Sequence, residues 1–154
     1  MTASHYAVLV LWGQGFDEIA ASIFVAELRR LGIHVKLVGL KSRQSAGQHG
    51  LTLVPDLTLG QALRMGDRIH CIIVPAPLVA LQQFSYDPRL AELLRPAQEN
   101  PPFLVANALS IPQDQSGNPF FSSLSTPLFD TSTYPPVTAL LLFIQEVLEP
   151  RLRA

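Results

Sequence analysis

The side chains that could carry out chemistry are few, and their spacing matches no familiar catalytic arrangement. Ser110 follows an apolar run, but a free hydroxyl is a weak nucleophile and needs a base. Neither a histidine downstream of Ser110 nor a Gly-x-Ser-x-Gly frame around it is present. Cys71 lies inside the apolar run Ile69 to Val74, which predicts a buried thiol with a packing role. Ser110 is therefore a weak candidate for a nucleophile.

Acidic and metal-binding side chains show no clearer pattern. The pair Asp17-Glu18 stands at the start of a predicted helix, where negative charges complement the helix dipole. That structural role is our first interpretation of the pair, and a catalytic role is the alternative. The four histidines have no pair at i, i+4 or a similar spacing, so we predict neither a metal nor another cofactor. They are His5, His34, His49 and His70.

Composition argues against several function classes. The chain has 154 residues, 48% of them hydrophobic, which suits one domain, residues 1–154, with a single core. Its 11 Lys and Arg nearly balance 12 Asp and Glu, so no basic field attracts nucleic acid. The apolar run Val137 to Ile144 is far shorter than the ~20 residues of a membrane-spanning helix. With one cysteine no intrachain disulfide can form, and we expect a cytoplasmic protein.

Apolar runs of strand length alternate with segments of helical periodicity. The predicted strands are Ala7 to Trp12, His34 to Gly39, Ile69 to Val74 and Phe103 to Ala108. The predicted helices are the segment ending at Gly32, Leu59 to Met65, Pro88 to Gln98, and Val137 to Leu148. Gln44 to Val54, with two glycines between its halves, predicts a hairpin at the sheet edge. Fully apolar strands joined by helices indicate a three-layer α/β sandwich with a mostly parallel central sheet.

The last predicted helix has its apolar residues at helical spacing. We expect one buried face, made of Val137, Leu140, Leu141, Ile144 and Leu148.

The segment Ile111 to Tyr134 is rich in Pro, Gln, Ser, Gly and Thr and predicts an atypical long loop, residues 111–134. Loops of this length are uncommon in compact domains and tend to be functional or disordered. Phe120, Phe121 and Leu124 interrupt the polar composition, which indicates that part of the loop packs on something. Both its own domain and a second chain remain open as that surface.

Several segments together resemble a known superfamily. They are the run Ala7 to Trp12, the turn Gly13-Gln14-Gly15-Phe16-Asp17-Glu18, the helix end Leu28-Arg29-Arg30-Leu31-Gly32, the phrase Leu53-Val54-Pro55-Asp56, and the strand end Val74-Pro75-Ala76. These segments are similar to the ThiJ/PfpI superfamily, which includes a parkinsonism-associated redox chaperone and deglycase, peptidase-like proteins and glutamine-amidotransferase relatives. The resemblance implies a flavodoxin-like sandwich, truncated here after the strand Phe103 to Ala108.

The resemblance also implies a reaction centre, and this chain departs from it at each position. The superfamily keeps a cysteine on an elbow after the fourth strand, where Leu109 stands here. The carboxylate that bonds to this cysteine corresponds to Ala20. The usual Pro-Gly-Gly of the oxyanion site corresponds to Pro75-Ala76-Pro77, and Pro77 has no N–H to donate. The resemblance therefore predicts a divergent member without catalytic residues, in which Leu109 has an unstrained backbone with φ below zero.

Three functions remain open. The first is a non-catalytic protein that binds or scaffolds another protein, with Phe120, Phe121 and Leu124 as partner-binding residues. The second is a small-ligand sensor that uses the vestigial pocket at the carboxyl ends of the strands. Its predicted lining is Gly15, Phe16, Glu18, Ala76, Pro77, Leu109 and Ser110. The third is a residual hydrolase that uses Ser110, or Asp17 and Glu18.

The first helix bears on assembly, because its apolar residues lie on more than one side. They are Ile19, Ala20, Ile23, Phe24 and Val25. One core face does not require all of them, and superfamily members commonly pair through this helix. We therefore expect a homodimer.

Overall fold

A parallel sheet forms the centre of the computed structural model, which describes residues 6–41, 44–76, 78–84, 86–94, 102–107, 128–129 and 135–153. Within these residues the sheet has six strands in the order β3-β2-β1-β4-β5-β6. The strands are β1 Ala7–Trp12, β2 Val35–Gly39, β3 Leu57–Thr58, β4 Ile69–Ile73, β5 Phe103–Asn107 and β6 Leu128–Phe129. All neighbouring pairs are parallel. The predicted α/β sandwich with a parallel sheet is confirmed.

The four long strands form where apolar runs predicted them. Every residue of β1 is buried, and Val8 pairs with Val35 on one side and with Cys71 on the other. A strand with two parallel neighbours and no polar side chain must be covered on both faces. His34 lies just before β2, where its carbonyl oxygen accepts a hydrogen bond from the Val8 N–H at 2.9 Å. The apolar runs therefore gave the strand positions to within a residue.

Helices cover the two faces of the sheet in separate groups. The helices are α1 Glu18–Arg30, α2 Leu59–Leu63, α3 Pro88–Leu93, α4 Pro136–Phe143 and α5 Glu149–Arg153. Helix α1 packs on α4, and α2 packs on α3. Helix α1 leads from β1 to β2 in one direction along the sheet, whereas α2 and α3 lead in the other direction, to β4 and β5. Because such crossovers are right-handed, α1 lies on one face of the sheet and α2 and α3 lie on the other. None of the helices among the described residues is long and apolar enough to cross a bilayer.

The segment 111–134, predicted as a loop, contributes a strand to the sheet. Leu128–Phe129 forms β6, which pairs in parallel with Ala106 and Asn107 of β5. Phe129 is buried, and its ring lies 5.3 Å from that of Phe24 and 6.0 Å from that of Phe143. A two-residue strand leaves no periodic signal in a sequence, so this strand could not be predicted. Other residues of the segment, including Phe120, Phe121 and Leu124, lie outside the described residues.

The C-terminal helix forms as predicted, but its buried face differs from the prediction. Val137 and Leu141, expected in the core, are 51% and 40% exposed. The ring of Phe143, which the prediction omitted, packs edge-on against Phe24 at 6.3 Å and sets the buried face. The helix then widens into a π-helical turn and continues as α5. The residues that face the core are Ala139, Leu140, Phe143, Ile144 and Leu148.

Candidate functional site

The candidate site lies at the carboxyl ends of β1 and β4. The strand order reverses between these two strands, and parallel α/β sheets bind ligands at such a reversal. The turn after β1 contains Gly15 at φ +79°, a backbone conformation that glycine adopts readily. The Asp17 N–H donates to the Pro75 carbonyl oxygen at 2.8 Å, which ties the start of α1 to the end of β4. These contacts fix the turn between the two strands.

A hairpin closes over this turn. The Gly47 N–H donates to the Leu51 carbonyl oxygen at 2.8 Å, and Ala46 and Thr52 form an antiparallel bridge. The hairpin predicted between Gln44 and Val54 is therefore present, but it lies on the turn after the interior strand β1 rather than at the sheet edge. Two more backbone hydrogen bonds hold the hairpin against the turn. The Gly15 N–H donates to the Ala46 carbonyl oxygen and the Gln48 N–H donates to the Phe16 carbonyl oxygen, both at 2.9 Å.

Glu18 is the buried anchor of this arrangement, with a side chain that is 1% exposed. Its carboxylate accepts hydrogen bonds from the His49 N–H at 3.0 Å and from the Leu51 N–H at 2.8 Å. Nδ1 of His49 lies 2.8 Å from Oε1 of the same carboxylate. The approach is so close that a Cβ on Gly47 would lie 2.5 Å from the Glu18 Cδ. Position 47 therefore requires glycine.

The pKa of Glu18 is lowered to about 2. Burial by itself raises the pKa, but hydrogen bonds from the backbone N–H groups of Glu18, Leu51 and His49 and from the His49 side chain outweigh it. Glu18 is therefore ionised at physiological pH, and its oxygens are committed to the hairpin. A carboxylate held in this way is a poor general acid or base.

The acidic pair Asp17-Glu18 lies at the start of α1, as expected, but the two side chains have different partners. Asp17 caps α1, because its Oδ1 accepts hydrogen bonds from the N–H of Ile19 at 2.9 Å and of Ala20 at 3.2 Å. Glu18 instead serves mainly to hold the hairpin. Sequence spacing could not show this role, since its partner His49 is 31 residues away.

We expect the stability that Glu18 contributes to depend on pH. Because its folded-state pKa of about 2 is below the ordinary glutamate value of 4.5, this stability is full above pH 4.5 and is lost as the pH falls toward 2. Glu18→Gln should therefore lower Tm by several degrees at pH 6, and the gap to the wild type should narrow below pH 4.5. Thermal unfolding of both proteins across this range checks the expectation. A gap that stays constant with pH would contradict it.

A group of aromatic side chains packs together beside the carboxyl end of β1. Trp12, Phe16 and Phe84 are all buried, and the rings of Phe16 and Phe84 meet edge to face at 6.1 Å. A Cβ on Gly13 would lie 2.7 Å from the ring of Phe84. The indole N–H of Trp12 donates to the Ser45 carbonyl oxygen at 3.1 Å. Aromatic side chains of the chain itself thus pack against one another beside the carboxyl end of β1.

Some of the predicted site residues belong to the part of the chain that the structure describes, and the others do not. Among the described ones, Phe16, Glu18 and Ala76 are buried, whereas Gly15 is exposed. Ala20, the position that corresponds to the acid of the superfamily, is 1% exposed and belongs to the core. The others lie outside the described residues, and their roles stay predictions: Pro77, Leu109, Ser110, Phe120, Phe121 and Leu124. The backbone prediction for Leu109 is among them.

One cluster of side chains has the composition of a metal site. Ligand atoms of Asp17, Glu18 and His49 all lie within 4.8 Å of one another. The Glu18 oxygens, however, already accept hydrogen bonds from the hairpin, so a cation would have to displace the His49 side chain from Oε1. Sequence spacing missed this cluster, because the hairpin brings His49 to the start of α1.

Cys71 lies in the core of β4, as predicted. Its side chain is fully buried, and burial raises the pKa of the thiol well above its usual value, although the charge of Arg151 lowers it in part. A reactive cysteine needs the thiolate form, which this environment disfavours. Cys71 therefore serves packing.

Both the sequence and the fold of this chain are similar to those of known proteins. A sequence profile of the DJ-1/PfpI family matches residues 6–103. No curated protein sequence gives a significant match. Among solved structures, DJ-1beta of Drosophila melanogaster has 23% identity and a TM-score of 0.57, and the alignment covers 67% of this chain and 55% of that one.

Two further structures show the same fold. A mutant of a DJ-1 superfamily protein from Salmonella typhimurium has 24% identity and a TM-score of 0.54, with coverage of 67% and 56% of the two chains. A putative protease I from Bacteroides thetaiotaomicron has 11% identity and a TM-score of 0.63, and the match covers 94% of this chain and 98% of that one. The present chain thus spans just over half the length of the fly and Salmonella proteins.

Proposed function

Because this chain belongs to the DJ-1/PfpI family, we propose that it is a non-catalytic member that acts by binding other proteins. The observation that carries the proposal is that the start of α1 lacks a free carboxylate at positions 18 and 20. Ala20 places a buried methyl group where the family resemblance implies a carboxylate, and the nearby Glu18 is fully used by the hairpin. Neither position 20 nor Glu18 therefore supplies a carboxylate that is free to activate a nucleophile.

The residue types at the other family positions support the same conclusion. Leu109 stands where the resemblance implies the reactive cysteine, and a leucine can neither attack a carbonyl carbon nor be oxidised to a sulfinate. Pro77 stands where a backbone N–H would stabilise an oxyanion, and proline has none. Loss of one such donor reduces transition-state stabilisation by about 3 kcal/mol in other enzymes. Nucleophile, acid and oxyanion donor are thus replaced together.

The two alternative functions receive less support. A residual hydrolase would need a base for Ser110, and a carboxylate with a pKa of about 2 is a weak one. A small-ligand sensor would have to expose Phe16, Glu18 and Ala76, three of the predicted lining residues, which are buried. Protein binding requires neither change, so we rank it first.

We expect the purified protein to turn over neither methylglyoxal nor peptide substrates above the rate in buffer. The physical reason is the absence of a thiolate and of a second oxyanion donor. A colorimetric assay of methylglyoxal consumption and a fluorogenic peptide assay measure this, with Ser110→Ala as the control variant. Turnover that disappears in Ser110→Ala would overturn the proposal and would identify Ser110 as a nucleophile.

Binding is tested with the aromatic residues of the segment 111–134. We expect Phe120→Ser with Phe121→Ser to reduce co-purification of a protein partner from the native cell extract, while Tm stays unchanged. Unchanged binding together with unchanged stability would remove these residues from the proposed partner surface.

The proposal includes a homodimer through α1 and the hairpin. A shallow groove of about 270 Å³ lies between these elements, and its apolar lining includes Ala21, Val25, Leu53 and Val54. Val54 is 72% exposed although it is apolar. The neighbouring Ser22 and Ala26 are small, so a second copy of α1 can approach closely. An exposed apolar patch is typical of protein–protein interfaces, and in a twofold dimer the same patch of both copies meets.

A further inference from the structure

Two adjoining cavities open at the carboxyl ends of β2 and β3, next to the reversal between β1 and β4. The larger measures about 280 Å³ and the smaller about 220 Å³. Both are lined by Gly39, Lys41 and Thr58, so they form one cleft around these three residues. A Cβ on Gly39 would lie 2.8 Å from the Pro55 Cγ, so this position of the lining requires glycine. We call this space the Lys41 cleft.

The charge at the centre of the Lys41 cleft is positive and uncompensated. No carboxylate in the described part of the chain forms an ion pair with Lys41. Its ammonium group lies 5.6 Å from the centre of the Phe84 ring, a contact that holds the side chain without neutralising it. The Lys41 cleft therefore presents a cation that is available to a ligand.

The other charged residues around the cleft are paired. On the wall of the smaller cavity, Nε and Nη2 of Arg89 donate to Asp87 at 3.1 and 2.9 Å, which leaves the Nη1 group able to donate. In the larger cavity, Asp56 is paired with Arg29 at 2.7 Å and accepts a bond from the Leu37 N–H at 2.8 Å. Among the lining residues that the structure describes, the one charge without an ion-pair partner is therefore that of Lys41.

Oriented polar groups and an apolar wall complete the lining. Thr58 and Gln61 form two reciprocal hydrogen bonds. Oγ1 of Thr58 accepts from the backbone N–H of Gln61 at 3.1 Å, and Oε1 of Gln61 accepts from the backbone N–H of Thr58 at 2.9 Å. The hydroxyl proton of Thr58 remains able to donate. Leu40 and Leu59 line the smaller cavity beside these groups. Hydrogen-bond donors thus lie in the same cleft as one cation.

We propose that the Lys41 cleft binds a small organic oxyanion, whose carboxylate or phosphate group contacts Lys41 and whose short carbon chain lies within the smaller cavity. Drug-sized sites measure roughly 300–1,000 Å³, so each of these cavities fits only a short chain of a few carbon atoms. The Lys41 cleft shares no residue with the dimer groove except Asp56. This ligand site is separate from the proposed protein-binding function and does not depend on it.

The test is a titration of isotope-labelled protein followed by amide NMR. Butyrate and inorganic phosphate are the probes, and butyramide is the neutral control of the same shape as butyrate. All titrations use equal ionic strength, because screening weakens exposed charge interactions. We expect saturable shifts of the Gly39, Lys41 and Thr58 amides with butyrate or phosphate and none with butyramide. Comparison of the two probes shows which oxyanion the cleft prefers.

The matched variants are Lys41→Gln and Lys36→Gln, since these are the two lysines of the chain. Lys41→Gln should raise Kd about tenfold or more, because it removes a charge-assisted contact. Lys36, in β2 and outside both cavities, should leave Kd unchanged when replaced. Equal shifts with butyramide, an unchanged Kd in Lys41→Gln, or no saturation up to about 50 mM of either probe would overturn the proposal.

Discussion

Ala20→Glu is expected to lower the free energy of unfolding by about 3 kcal/mol, although it restores the carboxylate that the family resemblance implies. Ala20 is 1% exposed and lies among apolar core residues. A carboxylate there would be buried without the thiol that its counterpart bonds to, since position 109 holds leucine. Urea denaturation of the variant and the wild type measures the difference.

The adjacent position provides the control for this substitution. Ile19 also lies in the first turn of α1, but it is 36% exposed. Ile19→Glu adds the same charge near the same helix terminus without burying it, so we expect a change within about 0.5 kcal/mol. If Ala20→Glu is as stable as Ile19→Glu, or gains turnover of methylglyoxal, the site is not the filled, inert core that we describe.

Val54→Glu is expected to raise the dimer dissociation constant at least about 100-fold, which corresponds to roughly 3 kcal/mol. In a twofold dimer each substitution appears twice, so two carboxylates would enter one apolar interface. Val54 lies beside the groove between the hairpin and α1, and its exposure means that the monomer itself should remain folded. Sedimentation or light scattering over a range of concentrations measures the effect.

Tyr86→Glu is the matched control for the dimer test. Tyr86 is 71% exposed, as Val54 is, but it precedes α3 on the other side of the sheet. We expect its substitution to leave the dissociation constant unchanged. A wild-type protein that is monomeric at micromolar concentration, or equal effects of the two substitutions, would contradict an interface on α1 and the hairpin.

The strands and the main helix could be predicted from the sequence because their signals are local. Each of the four long strands is an apolar run that needs only its own residues to be recognised. Helix α1 begins after the cap Asp17 and ends before Gly32, which has φ +82°, and both signals lie beside the helix. The family resemblance rests on these same elements, and the sequence profile confirms it.

The features that the sequence could not predict are contacts between distant segments. Phe129 looks like one more apolar residue of a polar stretch, yet it completes the ring cluster with Phe24 and Phe143. Phe84 gives no sign in the sequence that its ring fills the space beside Gly13. In both cases the partner is chosen by how the layers pack, which local patterns do not encode.

Residue types alone place leucine, alanine and proline at positions 109, 20 and 77, and no folded structure is needed to know that these side chains cannot react. What Glu18 does, in contrast, was decided by the tertiary structure. The sequence shows an acid at a helix start, and the fold brings the hairpin around His49 onto it. Three backbone N–H donors and the His49 side chain then keep it ionised against the effect of burial, because the pKa of a carboxylate follows from its spatial surroundings.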